Sequence, residues 1–162
     1  MLSRADYGRV LEPMLRQAAG YARSILRNRM DAEDAVQQAV LRGLERLESY
    51  DPARPFKGWW FTVLRNCCMD LLNDRRQNPQ YYPSQDETQL EHLVASEPDW
   101  SALDRAFEVL TSKHQEIIRL RYFADLSYAE ISEALAIPVG TVMSRLHHAR
   151  LALAEQLQEN AT

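Results

Sequence analysis

Two groups of side chains in this sequence carry most of its chemistry. In "KGWWFTVLRNCCMDLLNDRR", Trp59, Trp60 and Phe61 stand close to Lys57, Arg65, Arg75 and Arg76. Aromatic rings among cations suit unstacked nucleobases, because every base offers a π face and every phosphate a charge. The same rings suit a hydrophobic core, and at least one tryptophan is expected there. Asn66 shares the helical face of Trp59 and Val63; its carboxamide is either a partner for a base edge or an ordinary surface amide. The second group lies in "SYAEISEALAIPVGTVMSRLHHAR". On a helix, Thr141, Ser144, Arg145 and His148 gather away from the apolar stripe Val142, Leu146, Ala149 and Leu153. Hydroxyls suit phosphate oxygens or thymine methyls, and arginine suits guanine O6 and N7 or a phosphate. Met143, His147 and Arg150 flank that face, within reach of a nucleic-acid backbone.

The elements that hold these groups are helical. Apolar residues recur with a period near 3.6 and no stretch alternates with period two, so the fold class is all-α. Ser127 and Glu130 form an S-x-x-E capping box, "AIP" makes a short turn, and a new helix starts at Pro138 or Val139. That is a helix-turn-helix, whose second helix ordinarily enters the DNA major groove. It follows a helix over "SALDRAFEVL" and another through "TSKHQEIIRLRYFADL" that ends near Asp125. In the N-terminal half, Asp31 is placed as an N-cap with Asp34 three residues on, opening a helix that runs toward Tyr50. Val36, Ala39, Val40, Leu44 and Leu47 form its buried stripe, and Asp34, Gln38, Leu41 and Glu45 its outer face. Leu41, outward among acids and amides, is either an incidental exposed residue or the centre of a partner-binding patch. "SYDPARPF" then breaks the helix with two prolines before the aromatic-cationic helix begins.

Charge divides the 162-residue chain unevenly, within a formal net charge of -4. Residues 1–76 hold 13 Lys and Arg against 10 Asp and Glu. Residues 77–100 hold five acids (Asp86, Glu87, Glu91, Glu97, Asp99), three prolines and no Lys or Arg, which marks a linker with a short helical turn around Gln89 to Val94. Residues 101–162 hold 6 basic and 8 acidic residues. So modest a positive charge argues against tight autonomous DNA binding, since counterion release needs many paired cations. No run of about 18 apolar residues occurs, so a cytoplasmic protein without membrane insertion is expected. Cys67 and Cys68 are adjacent, which strains a disulfide, and no Cys or His spacing suits a metal; reduced helical thiols and no cofactor are expected.

Taken in order, these segments resemble the extracytoplasmic-function (ECF) class of bacterial sigma factors, the promoter-specificity subunits of RNA polymerase. "DAEDAVQQAVLRGLERL" looks like the family's polymerase-binding helix, "FKGWWFTVLRNCCMDLL" like its minus-ten helix, and "LTSKHQEIIRLRYFADLSYAEISEALAIPVGTVMSRLHHAR" like its minus-thirty-five domain. The resemblance implies sigma region 2 over residues 1–76, an acidic linker over 77–100 and sigma region 4 over 101–162. By similarity, Asp34, Gln37, Gln38, Leu41 and Arg42 would dock on the β′ clamp helices of core RNA polymerase, with the β flap a further contact. Ser49 to Phe56 matches the loop that pockets a flipped minus-ten base. Tyr50, Phe56, Lys57, Trp60, Arg65, Asn66, Arg75 and Arg76 would then serve the minus-ten DNA, and Thr141, Ser144, Arg145, His147, His148 and Arg150 the minus-thirty-five DNA. The linker is either a solvated tether or a mimic of nucleic-acid charge in the polymerase channel. An anti-sigma factor that clamps the two lobes is the partner this family leads one to expect.

Three positions depart from the family pattern. Met143 and His148 stand where basic residues are common, and Trp60 stands where an aliphatic one is, so promoter preference does not transfer. The competing reading is a helix-turn-helix regulator that acts without core polymerase; it explains the second lobe but neither the aromatic-cationic helix nor the outward Leu41. A helical enzyme lacks any metal cluster, phosphate loop or nucleophile-base pair in the sequence, and Asp31, Glu33 and Asp34 are better explained by helix capping and dipole.

Overall fold

The structure, a computed structural model, describes residues 1–80 and 101–161. The linker expected over 77–100, with its helical turn at 89–94, lies outside the described residues from residue 81 on. Among the described residues no helix is long and apolar enough to cross a membrane.

The N-terminal bundle contains α1 (Arg4–Leu11), α2 (Leu15–Leu26), α3 (Arg29–Glu45) and α4 (Phe56–Gln77). Ser3 caps α1, its Oγ accepting from the Asp6 amide at 3.2 Å. Helix α3 opens three residues before the expected cap. Asn28, in extended backbone, accepts from the Asp31 amide at 3.0 Å. Asp31 therefore sits inside the first turn, and its carboxylate is left to pair elsewhere. The helix also ends sooner than expected, at Glu45, followed by a 3-10 turn over Leu47–Ser49.

The buried stripe of α3 is made of small residues: Ala32, Ala35, Ala39 and Gly43, with Val36, Val40 and Leu44 only half-buried. This corrects the larger stripe expected from the periodicity. Small side chains let α3 and α4 approach closely, and the space at Gly43 is taken by two aromatic residues. Tyr7 Oη donates to the Val40 carbonyl at 2.9 Å and accepts from Trp60 Nε1 at 3.0 Å. A Cβ on Gly43 would overlap Tyr7 Oη and lie 3.1 Å from Trp60 Nε1.

The C-terminal bundle contains α5 (Ser101–Val109), α6 (Ser112–Ile118), a π turn (Arg119–Phe123), α7 (Tyr128–Leu135) and α8 (Val139–Asn160). The capping box of α7 forms as expected: Glu130 N donates to Ser127 Oγ at 3.2 Å, and Ser127 N to Glu130 Oε2 at 2.7 Å. Ala136, at φ 53°, ends α7 in left-handed backbone, and α8 starts after Pro138. Val142, Leu146 and Ala149 are fully buried.

The two bundles also pack against each other, α4 on α7 and α2 on the π turn. One hydrophobic cluster runs through both, from Tyr7 in α1 to Ala149 in α8. Helical periodicity reports which face of each helix is apolar. It carries no signal for which bundle that face meets.

Gly43→Ala is expected to destabilise the chain by about 1 kcal/mol, because overpacking at ~1–3 kcal/mol outweighs the gain in helix propensity of ~1 kcal/mol. Urea unfolding followed by circular dichroism measures it; an unchanged or raised midpoint would contradict the tight α3–α4 approach.

Candidate nucleic-acid interface

Three surfaces follow from this scaffold. The first is a groove of about 540 Å³ between α3 and α4, where Asp34, Gln37, Gln38, Leu41 and Arg42 meet Asp70 and Leu71. Leu41 is 59% exposed at its centre. Arg42 Nη1 donates to Asp70 Oδ2 at 2.7 Å, and that carboxylate holds the guanidinium above its ordinary pKa. The pair joins the two walls of the groove at one point, and both partners are exposed enough to be of little worth to stability. Cys67 lines the same groove, and Cys68 is fully buried. Burial raises both thiols, Cys68 to about 12, which makes them core residues rather than nucleophiles.

The second surface surrounds the start of α4. The loop 49–56 is braced from within: Tyr50 Oη donates to the Arg54 carbonyl at 2.7 Å, and Asp51 Oδ1 accepts from the Ala53 amide at 2.9 Å. Tyr50, Phe56 and Trp59 form a half-buried aromatic cluster with ring centroids 5.1–5.6 Å apart. Asn66 is exposed two turns further along α4. Trp60 is not part of this surface. It is fully buried, edge-on to Phe61 and hydrogen-bonded to Tyr7. The half-exposed tryptophan is Trp59, whose place in the cluster the sequence reading did not single out. The signal was present: Trp60, Phe61, Leu64 and Cys68 make one apolar stripe, and Trp59 lies about 100° from Trp60.

Cations on this surface divide into two kinds. Arg75 is half-buried and tied within the bundle: its guanidinium is ion-paired with Asp31, and Nη1 donates to the Leu26 carbonyl at 3.1 Å. Lys57, Arg65 and Arg76 lie nearer solvent, but Lys57 Nζ donates to the Asp125 carbonyl at 2.8 Å and Arg65 Nε to Glu116, both in the other bundle. Arg65 and Arg76 share a second groove of about 330 Å³ with Lys113, Glu116 and Arg119.

The third surface is the outer face of α8. Ser144, His147, His148 and Arg150 are exposed, and Thr141 and Arg145 half-exposed; Thr141, Ser144, Arg145 and His148 share one side of the helix, with His147 and Arg150 on its flank. Ser144 Oγ donates to the Thr141 carbonyl at 3.2 Å. Arg150 Nε donates to Tyr122 Oη at 2.7 Å, with the guanidinium 5.7 Å from that ring's centroid. The phenol braces Arg150 and raises its pKa. The His147 and His148 rings are 5.6 Å apart.

Comparison with known proteins gives this arrangement its class. The model of Sigma-70 region 2 matches residues 10–78, and that of Sigma-70, region 4 matches residues 100–153. ECF RNA polymerase sigma factor SigW of Bacillus subtilis is 31% identical over 151 residues, covering 83% of this chain and 80% of the relative. ECF RNA polymerase sigma factor SigL of Mycobacterium tuberculosis is 34% identical over 148 residues, covering 86% and 81%. Among solved structures, CnrH in complex with the cytosolic domain of CnrY shares the fold with a TM-score of 0.72 at 24% identity, over 97% of this chain and 90% of that one. Sigma factor RpoE in complex with the anti-sigma factor NepR, from Bartonella quintana, does so with a TM-score of 0.70 at 24% identity, over 94% and 97%. The chain belongs to the ECF sigma factors of the sigma-70 family. Its function is that of an alternative sigma factor, a role that implies core RNA polymerase and promoter DNA as partners.

The division of the arginines is testable by stability alone. Arg75→Ala strands the Asp31 carboxylate, only 17% exposed, and is expected to cost ~2–4 kcal/mol. Arg76→Ala, at an exposed position, is expected to stay within ~0.5 kcal/mol. Equal effects of the two substitutions in chemical denaturation would remove Arg75 from the structural set.

Proposed function

We propose that this sigma factor docks on the β′ clamp helices of core polymerase through the α3–α4 groove, with the α5–α8 bundle near the β flap. The observation that carries the reading is the gathering of Asp34, Gln37, Gln38, Leu41 and Arg42 along one groove with an exposed leucine at its centre. An exposed apolar side chain ringed by carboxylates and amides fits a helical partner that presents its own apolar stripe between cations. In this reading the chain is a subunit that confers promoter choice and catalyses no reaction itself.

Minus-ten DNA is read by the loop 49–56 with Tyr50 and Phe56, by Asn66, and by Lys57, Arg65 and Arg76 on the backbone. Trp59 joins this set in place of Trp60, since a half-buried ring beside Tyr50 and Phe56 is available for stacking with a base. Flipping a base costs a few kcal/mol, which contacts made by the polymerase complex help offset. Minus-thirty-five DNA is read by Thr141, Ser144, Arg145 and His148, with His147 and Arg150 at the backbone. An anti-sigma factor that contacts both bundles completes the partner set; the structural neighbour RpoE is in complex with an anti-sigma factor, NepR.

Run-off transcription with core polymerase on a library of genomic fragments tests the reading. Defined start sites are expected with the folded chain, and their absence would overturn it. Leu41→Asp is expected to lower transcription at least tenfold while the unfolding free energy stays within ~0.5 kcal/mol. Arg145→Ala is expected to cost ~1–3 kcal/mol at promoters with a minus-thirty-five element, if it makes a bidentate base contact, and little at promoters without one.

A further inference from the structure

The groove of about 330 Å³ that holds Arg65 and Arg76 is built by both bundles, with α2 and α4 as one wall and α6 and the π turn as the other. Further back along α4 the walls are held in register at Gly58, where a Cβ would lie 2.6 Å from the Glu130 carbonyl oxygen of α7.

Charge in this groove is one-sided. Arg65, Arg76, Lys113 and Arg119 line it against a single carboxylate, Glu116, and that carboxylate is paired with Arg65. In a chain of formal net charge -4, overall composition does not account for such a concentration of cations. Arg76 and Lys113 are exposed and make no hydrogen bond or ion pair among the described residues. Arg119 is half-buried, its guanidinium 5.0 Å from the Phe107 ring centroid and Nη2 3.5 Å from Gln115 Oε1. Its buried Nε has no partner among the described residues. Burial lowers the Arg119 pKa, and Arg27 adds to the effect. A buried donor without an acceptor is costly, and an anion supplies both the acceptor and the opposite charge.

The wall made by α2 and α4 also offers apolar surface. Ile25, Met69 and Leu72 are half-buried there, with Lys113 and Arg119 on the opposite wall. Guanidinium forks and an ammonium suit phosphate oxygens, and aliphatic and thioether side chains suit the face of a planar ring. A volume of about 330 Å³ lies at the low end of small-molecule sites, ~300–1,000 Å³, which is commensurate with one nucleotide.

We propose that this groove binds a nucleoside di- or triphosphate, with its phosphates on Arg76, Lys113 and Arg119 and its base against Ile25, Met69 and Leu72. The site goes beyond promoter recognition, since Lys113 and Arg119 belong to neither set of DNA-reading residues. Because the nucleotide touches both walls, it stabilises the packed chain by mass action.

Isothermal titration calorimetry of the full chain with ATP, GTP, inorganic pyrophosphate and adenosine, without polymerase and with EDTA present, tests the site. ATP or GTP should saturate one site per chain. Pyrophosphate and adenosine should each bind at least about tenfold more weakly, because neither engages the cations and the apolar wall together. Lys113→Glu, at an exposed position, should weaken the nucleotide at least about tenfold, and Lys113→Arg should retain it within about threefold. Arg16→Glu reverses an equal charge on an exposed part of α2 outside the groove and should leave binding within about twofold. Circular dichroism confirms that each variant folds. The nucleotide should also raise the Tm of the unmodified chain and leave that of Lys113→Glu unchanged. Absence of saturable binding by both nucleotides, or pyrophosphate binding as tight as theirs, overturns the proposal. So does an equal loss from Arg16→Glu, which would reduce the effect to general surface charge. The sigma reading is tested separately, by run-off transcription.

Discussion

The close approach of α3 to α4 is the constraint on which the rest depends. It exists because α3 offers alanines and a glycine where a longer side chain would hold the helices apart, and because Tyr7 Oη fills the remaining space while joining Val40 to Trp60. A buried tyrosine hydroxyl and indole N–H each need a partner, and here they satisfy one another. The register this sets turns Trp60 inward and therefore Trp59 outward, toward Tyr50 and Phe56. It also leaves Leu41 and Asp34 on the far rim of the α3–α4 contact, where they form a groove with α4. The α3–α4 groove and the Tyr50–Phe56–Trp59 cluster are thus two outer faces of one tightly packed helix pair.

Charge follows the same logic of shared surfaces. The N-terminal bundle has an excess of cations, the C-terminal bundle a slight excess of acids, and part of that complementarity is used between them. Arg27 with Glu108 at 2.5 Å, Arg54 with Glu133 and Arg65 with Glu116 all cross the contact. Exposed pairs such as the first add little; the apolar cluster and the fit at Gly58 hold the bundles together. With these three arginines engaged and only Arg145 and Arg150 as fixed cations on α8, little fixed positive charge lies on the α8 face.

Much of this was legible in the sequence. The capping box at Ser127 and Glu130, the turn before Val139 and the two faces of α8 all appear where periodicity and capping rules put them, because each is determined within a few residues. The exposure of Leu41 was equally local. What periodicity missed depends on contacts between distant segments. Asn28, not Asp31, caps α3, and Asp31 is drawn instead to Arg75, 44 positions away in the chain. Arg75 accordingly ties α4 to the start of α3 and the end of α2. The buried stripe of α3 shifted to its small residues because Tyr7 and Trp60 occupy the space. The docking of the bundles had a single local trace, a glycine in the first turn of a helix that otherwise favours large side chains, and its meaning required the opposing carbonyl of Glu130.

The central claim is that core polymerase docks on the groove between α3 and α4, with Leu41 at its centre. A photoreactive side chain placed at Leu41 reports directly on what covers that groove. Irradiation of the protein with core polymerase should link this position to the β′ subunit. Start-site-specific transcription by the labelled protein without any crosslink to β′ would contradict the account.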